Sequence, residues 1–250
     1  GRVKKMKKFL DHILLLFGFE KKFFDKENLK NTFVGHPLLD SMEKDINVEI
    51  NDFVEKKNIV SLFPGSRDSE IKILFPVLIN FIKKMNLKDN SYHYIFHSTQ
   101  KFKEMIKSKL LAEKLSNVEV VSDDKIKSQV LKKSIFAIVK SGTVSLDVCK
   151  NNIPSMIIYK MNFFNYHLAK FLLKIKYVNM INIINNKEII PELLQSECNP
   201  NEIYKTFYFF MKKPNLIKEQ MSVVKNTIDD LKSSTSASDQ ASKVILSYLT

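Results

Sequence analysis

A chain of 250 residues with 44% hydrophobic residues is long enough for one large domain or two small ones. Its apolar residues run throughout, which excludes disorder by composition. The formal net charge is +13, yet of the 40 basic residues only Arg2 and Arg67 are arginine and the rest are lysine. A reader of base edges would use arginine's planar fork. The lysine excess is read as a solvated surface from an A/T-rich coding sequence, with no nucleic-acid partner expected and an anionic membrane surface kept as a partner.

Taken in chain order, residues 1 to 8 are basic and residues 13 to 17 (ILLLF) are apolar. That run is short and lacks a small-residue cleavage site, so it reads as a buried strand rather than a signal peptide. Residues 11–19 and 32–36 are expected as two buried strands with a charged helical turn between them. The polar stretch 40–57 reads as an interdomain linker. Next come a strand at 58–63, a helix at 69–85, a strand at 92–98, a helix at 101–115 and a strand at 118–122. They are followed by a helix at 124–133, a strand at 136–141, a helix at 143–151 and a strand at 155–160. From Phe163 onward the pattern is largely helical, and the serine-rich 233–238 caps the last helix. Alternating strands and helices imply βαβ units, a parallel sheet and ligand binding beyond the carboxyl ends of the strands. The fold class is therefore α/β: a Rossmann-like parallel sheet with flanking helices. The expected domains are 1–45 and 46–250. No apolar run approaches the ~18 residues that span a bilayer. Two cysteines, Cys149 and Cys198, make neither a disulfide framework nor a metal-ligand spacing and fit a reducing cytoplasm.

Two strand-to-helix loops carry anion-binding chemistry. In Pro64-Gly65-Ser66-Arg67-Asp68-Ser69-Glu70, Gly65 permits a tight turn and Ser66 offers a hydroxyl. Ser69 is a plausible helix N-cap, and the helix N-terminus attracts phosphate. Arg67 is one of only two arginines in a lysine-rich chain, and a planar fork suits diphosphate oxygens. The loop is not a Walker P-loop, because the Gly-Lys-Ser/Thr ending is absent. In Lys140-Ser141-Gly142-Thr143-Val144-Ser145-Leu146-Asp147, the amides and hydroxyls of Ser141, Gly142 and Thr143 make a second cradle. Asp147, one turn inside the helix, is within reach of ribose hydroxyls.

Three further segments are ambiguous by residue type alone. Gly35 and His36, in Phe33-Val34-Gly35-His36-Pro37, fit a polar anchor at a domain crevice or a structural histidine equally well. His93 and His97 read as structural. Between Tyr177 and Gln195, Pro191 suits the first turn of a helix, and Glu192 and Gln195 then share a face. Asn182, Glu192 and Gln195 are candidates for sugar or ribose contacts, and capping chemistry explains them as well. Residues 163–177 (FFNYHLAKFLLKIKY) fit a basic amphipathic helix on a membrane surface or a core helix with lysines reaching outward.

Together these motifs resemble the lipid-A-disaccharide synthase family of inverting GT-B glycosyltransferases. The matching segments are FVGHPLLD (33–40), LFPGSRDSEI (62–71), KSGTVSLD (140–147), IPSMIIYK (153–160), YVNMIN (177–182) and IIPELLQ (189–195). Two positions depart: Asp147 stands where the family usually has Glu, and Ile181 where it has Pro.

The resemblance implies a C-terminal UDP-sugar-binding domain preceded by the end of an N-terminal acceptor domain. The greater part of that acceptor domain, with its catalytic base, is expected to be missing. It implies a hexosyltransferase of lipid A biosynthesis, peripheral at the inner face of the cytoplasmic membrane. UDP-2,3-diacylglucosamine is the donor and 2,3-diacylglucosamine 1-phosphate the lipid acceptor. No metal or other cofactor is implied. Apolar surface that would face the missing domain makes self-association into a homo-oligomer an expectation. The rivals are another UDP-N-acetylglucosamine-type GT-B transferase or epimerase, or a UDP-binding fragment without catalysis.

Overall fold

The computed structural model describes residues 2–40, 57–161, 176–233 and 235–249. The chain divides into two compact units, Gly1–Lys44 with Asn226–Thr250, and Asp45–Lys225. The first boundary, between Lys44 and Asp45, lies among residues 41–56, which are outside the described residues. The segment Asn226–Thr250 groups with the smaller unit, whereas the sequence reading placed it in the larger.

In the smaller unit, helix α1 (Arg2–Met6) leads into strand β1 (His12–Leu15). Gly18–Glu20 forms a 3-10 turn, helix α2 (Lys21–Asp25) follows, and strand β2 (Lys30–Phe33) pairs parallel to β1 from His12↔Lys30 to Leu15↔Phe33. Both strands are shorter than the 11–19 and 32–36 expected, because the 3-10 turn ends β1 and the paired register sets β2. Most of their side chains are half-buried rather than buried. Leu15, Phe24 and Leu29 make the small core. Helix α3 (Pro37–Asp40) follows Gly35.

The larger unit holds a six-stranded, all-parallel sheet. In chain order it comprises β3 (Ile59–Phe63), α4 (Asp68–Asn86), β4 (His93–His97), α5 (Gln100–Ala112) and β5 (Val118–Val121). Then come α6 (Asp124–Lys133), β6 (Ser134–Lys140), α7 (Val144–Lys150), β7 (Ser155–Tyr159), α8 (Met180–Asn185), β8 (Glu192–Leu194) and α9 (Pro200–Lys212). Helix α10 (Pro214–Leu231) begins in this unit and ends in the smaller one, which also holds α11 (Ala237–Leu246).

Every residue of β3 is buried, as a central parallel strand covered on both faces requires. Val60 and Leu62 face a large cluster with Leu78, Phe81 and Ile82 of α4 and Phe207 of α9. Phe207 meets Phe81, Tyr92 and Phe136 edge to face, with centroids 5.2–5.8 Å apart. On the opposite face Ile59 joins Ile95, Val121 and Val130.

Two local expectations change. The helix proposed around Pro191 is strand β8, paired with the edge of β7 from Ile157↔Glu192 to Tyr159↔Leu194. Proline is compatible with the entry to a strand as well as to a helix, and pairing with β7 decides. The N-cap of α4 is Arg67, in extended conformation without a side-chain cap bond, rather than Ser69. The serine-rich segment does cap the last helix: Ser236 Oγ accepts from the Asp239 amide at 3.1 Å. The amphipathic segment 163–177 lies outside the described residues apart from its last two.

Candidate functional site

The strand order β5-β4-β3-β6-β7-β8 contains one reversal. From β3 the chain moves outward through β4 and β5, then crosses back to pair β6 on the other side of β3 and continues to β7 and β8. The carboxyl ends of β3 and β6 therefore flank a topological switch point, where the two outgoing loops diverge and leave a crevice. The Gly65–Arg67 loop leaves β3 and the Ser141–Thr143 loop leaves β6, so the two cradles recognised in the sequence stand side by side at that point.

Gly65 sits at φ 106°, and a Cβ there would meet the Glu70 carboxylate and, at 2.7 Å, Glu70 Cβ. Only glycine permits this turn with Glu70 tucked beneath it. Glu70 Oε2 accepts from the Ser66 amide at 3.0 Å. Glu70 Oε1 lies 2.9 Å from Lys140 Nζ and 3.5 Å from Arg67 Nη1. Burial pushes the Glu70 carboxyl up, but the Lys140 ammonium and the Ser66 and Arg67 amides outweigh it and hold it below its ordinary value. Its side chain is 14% exposed and that of Lys140 18%, whereas Arg67 is 78% exposed and presents its fork outward. Neither Glu70 nor Lys140 was singled out in the sequence. The available signal was position: Glu70 is the third residue of α4, where a glutamate turns back on the preceding loop.

On the β6 side, a Cβ at Gly142 would meet only Lys140 Nζ, at 3.8 Å. Gly142 and Thr143 are exposed. Ser141 donates its hydroxyl to the Val178 carbonyl at 3.0 Å, and Ser145 donates to the Gly142 carbonyl at 2.7 Å. Asp147 is half-buried in α7, with its carbonyl accepting from Asn151 Nδ2 at 2.9 Å.

The third predicted group behaves differently. Asn182 is fully buried and saturated. Its Nδ2 donates to the Ile190 carbonyl at 2.7 Å and to Glu192 Oε1 at 2.8 Å, and its Oδ1 accepts from the amides of Ile189 and Ile190 at 2.8 and 2.9 Å. Glu192 also accepts from the amides of Val178 and Asn179, both at 2.8 Å. Because Glu192 lies in a strand and Gln195 follows it at φ 52°, the two do not share a helix face as expected. The Gln195 amide is fixed by the Tyr159 carbonyl at 2.8 Å. Buried Nε2 of Gln195 and Nδ2 of Asn179 have no hydrogen-bond partner among the described residues.

In the smaller unit, Gly35 (φ 91°) allows close approach of Ser233, whose Oγ would lie 2.8 Å from an added Cβ. His36 accepts from the Leu38 amide at 3.2 Å and lies against Phe17. Burial lowers its pKa against the opposing pull of Asp40. His97 is a buried scaffold residue. It lies 4.2 Å from the Phe63 ring, and its Nε2 is 2.8 Å from Ser61 Oγ, which in turn meets Ser134 Oγ at 2.7 Å. Burial, with a minor contribution from Lys127, drives its pKa down to about 3.

Burial pushes the Cys149 thiol up to about 12 and that of Cys198 to about 11, where neither is a nucleophile at neutral pH. Among the described residues no group of three His, Cys, Asp or Glu is arranged to hold a metal ion, and no helix is long and apolar enough to cross a membrane. A cavity of about 460 Å³ lined by Lys103, Lys107, Leu110 and Leu111 lies along α5 and the edge strand β5, away from the switch point.

The family model for lipid-A-disaccharide synthetase matches residues 1–245. The chain belongs to that family. The lipid-A-disaccharide synthase of Persephonella marina is 31% identical over 243 residues, covering 93% of this chain and 62% of its relative. That of Wigglesworthia glossinidia brevipalpis is 33% identical over 214 residues, covering 82% of this chain and 54% of its relative. The chain thus spans about three-fifths of the length of synthetase-family relatives it matches. Among solved structures, the S. aureus MnaA–UDP co-structure superposes with a TM-score of 0.63 at 14% identity, over 97% of this chain and 61% of that one. A UDP-N-acetylglucosamine 2-epimerase from Listeria monocytogenes gives 0.59 at 11% identity, over 85% and 54%. At such identities the likeness concerns the fold, which is the Rossmann-like arrangement of GT-B proteins.

Proposed function

We propose that this chain supplies the donor-nucleotide side of a glycosyltransferase of lipid A biosynthesis. The whole reaction transfers 2,3-diacylglucosamine from UDP-2,3-diacylglucosamine to 2,3-diacylglucosamine 1-phosphate. The acceptor's 6-hydroxyl attacks the anomeric carbon, the bond to UDP breaks with inversion, and a base outside the residues named here takes the hydroxyl proton. The leaving diphosphate gains charge as that bond lengthens, so fixed donors aimed at its oxygens lower the barrier. Arg67, the Ser66 hydroxyl and the Gly65 amide take one side of it, and the Ser141–Thr143 loop takes the other. Asp147 and Gln195 are assigned to ribose or sugar hydroxyls, while Asn182 and Glu192 hold the backbone amides of Val178, Asn179, Ile189 and Ile190. Gly35 and His36 lie in the smaller unit, where they are kept as candidates for a polar anchor. The lipid partners favour work at a membrane surface, and the net charge of +13 is compatible with anionic headgroups.

The observation that carries the reading is the juxtaposition of an outward-facing Arg67 with a glycine-lined loop across the β3/β6 switch point. Calorimetric titration of UDP into the chain and into Arg67→Ala tests it. Saturable binding that weakens about tenfold in the variant is expected, the scale of one charge-assisted hydrogen bond. A folded chain that binds UDP equally well with and without Arg67 overturns it. The likeness to a UDP-N-acetylglucosamine 2-epimerase favours a second reading, that of another UDP-sugar protein of this fold. Competition by UDP-N-acetylglucosamine against the diacylated donor separates the two.

A further inference from the structure

The exposed Arg67 has a less conspicuous counterpart across the switch point. Lys140 is the last residue of β6, and its ammonium lies 3.8 Å from where a Cβ at Gly142 would stand, facing the open side of that loop. It also lies over the Tyr159 ring, 5.5 Å from the centroid. A lysine at the end of a strand, 18% exposed, costs desolvation and rotamer freedom unless something holds it. Glu70 does so, at 2.9 Å, reaching from the first turn of α4 under the β3 loop to the end of β6. The same carboxylate accepts from the Ser66 amide at 3.0 Å and lies 3.5 Å from Arg67. One side chain therefore fixes the backbone of the first cradle and the cation of the second.

Resting on the reading of these loops as a diphosphate site, the geometry points to a positioning pair. Lys140 is a direct cationic ligand of the nucleotide diphosphate, and Glu70 is the residue that aims it. Glu70 does not compete with the ligand. It lies beneath the loop, with Gly65 cleared for it, while Gly142 and Arg67 face outward. Its negative charge is already balanced by Lys140 and Arg67, so the rim keeps a net positive charge toward an incoming anion. The unused lone pairs of the diphosphate then meet an ammonium from one side and a guanidinium from the other.

The test compares UDP with uridine, which lacks the phosphates, by NMR shift titration of the 250-residue chain and five variants, Arg67→Ala among them. Lys140→Met is expected to weaken UDP about tenfold and leave uridine within about twofold, with Lys140→Arg restoring most of the loss. Glu70→Gln keeps an acceptor for the Ser66 amide but not the ion pair. It is expected to weaken UDP about threefold to tenfold, and that loss should largely vanish when added to Lys140→Met, as coupling through one partner requires. Unfolding midpoints measured alongside separate lost binding from lost fold.

If Lys140→Met binds UDP like the parent while Arg67→Ala does not, the inference is wrong and the donor-site reading stands. Tighter UDP binding by Glu70→Gln shows the carboxylate to be a competitor and also overturns it. A Glu70→Gln loss that persists undiminished in the Lys140→Met background does the same. If Arg67→Ala also leaves UDP affinity unchanged, the diphosphate reading falls and takes this inference with it.

Discussion

Around the ends of β3 and β6, Arg67 is 78% exposed and Gly142 has open space beside it. On either side of the turn between α8 and β8, Asn182 makes four hydrogen bonds inward and Glu192 three. Both regions are rich in the side chains that hold nucleotide sugars, but only the first keeps donors facing out. The second is joined to it. Glu192 fixes the Val178 amide, and the Val178 carbonyl holds the Ser141 hydroxyl at 3.0 Å. The buried cluster thus shapes the rim that the exposed residues present. A polar residue acts on a ligand through contact or through the backbone it holds, and only its remaining hydrogen-bonding capacity tells which.

Four changes would break or sharpen this contrast. The largest effect is expected from Asn182→Ala, which leaves the Ile189 and Ile190 amides without their buried acceptor. Urea denaturation should show a loss of about 3 kcal/mol or more, with UDP affinity falling only as the fold does. A selective loss of UDP affinity at unchanged stability would move Asn182 into the contact class. Gly65→Ala comes next. It strains a positive φ and pushes into Glu70, and should cost about 2 kcal/mol by the same assay, with weakened UDP binding because the loop itself is displaced. Arg67→Ala should do the reverse, leaving the unfolding midpoint unchanged while UDP affinity drops about tenfold, roughly 1.4 kcal/mol.

The smallest concerns acid. His97 has its pKa lowered by burial from 6.5 to about 3. Between those values the unfolded chain binds a proton that the folded chain does not, so stability falls as pH drops below about 6.5 and the loss is complete near pH 3. From pH 7 to pH 6 this one group contributes about 0.7 kcal/mol. His97→Phe should flatten the stability–pH curve by that amount relative to the parent.

Much of the larger unit could be read from periodicity. The strand centred on Ser61 and the helix carrying Ile71, Leu74, Leu78 and Ile82 are long, regular signals. The two loops were legible because Gly65 and Arg67 in one and Gly142 in the other are unusual choices in this chain. What escaped was set by partners far along the sequence. Residues 192–194 become a strand because β7 has a free edge, and Pro191 alone permits either outcome. Glu70 and Lys140 read as two more charges in a lysine-rich chain until β3 and β6 are seen to be neighbours. The saturation of Asn182 depends on amides at positions 189 and 190 that no local pattern brings to it.

The β3–β6 pairing also governs when the crevice comes into being. It joins Val60 to Phe136 and Phe63 to Val139, across all of α4, β4, α5, β5 and α6. Such a non-local contact forms only after a long loop has closed, a slow and entropically costly event. In the folded chain the two loops already stand side by side, so on the proposed reading little of the binding free energy would be lost to gathering them. On the proposed reading, a nucleotide spanning both rims would act as a clasp across the middle of the sheet. At a hundredfold excess over its dissociation constant it would add about 2.7 kcal/mol to the stability of that closure.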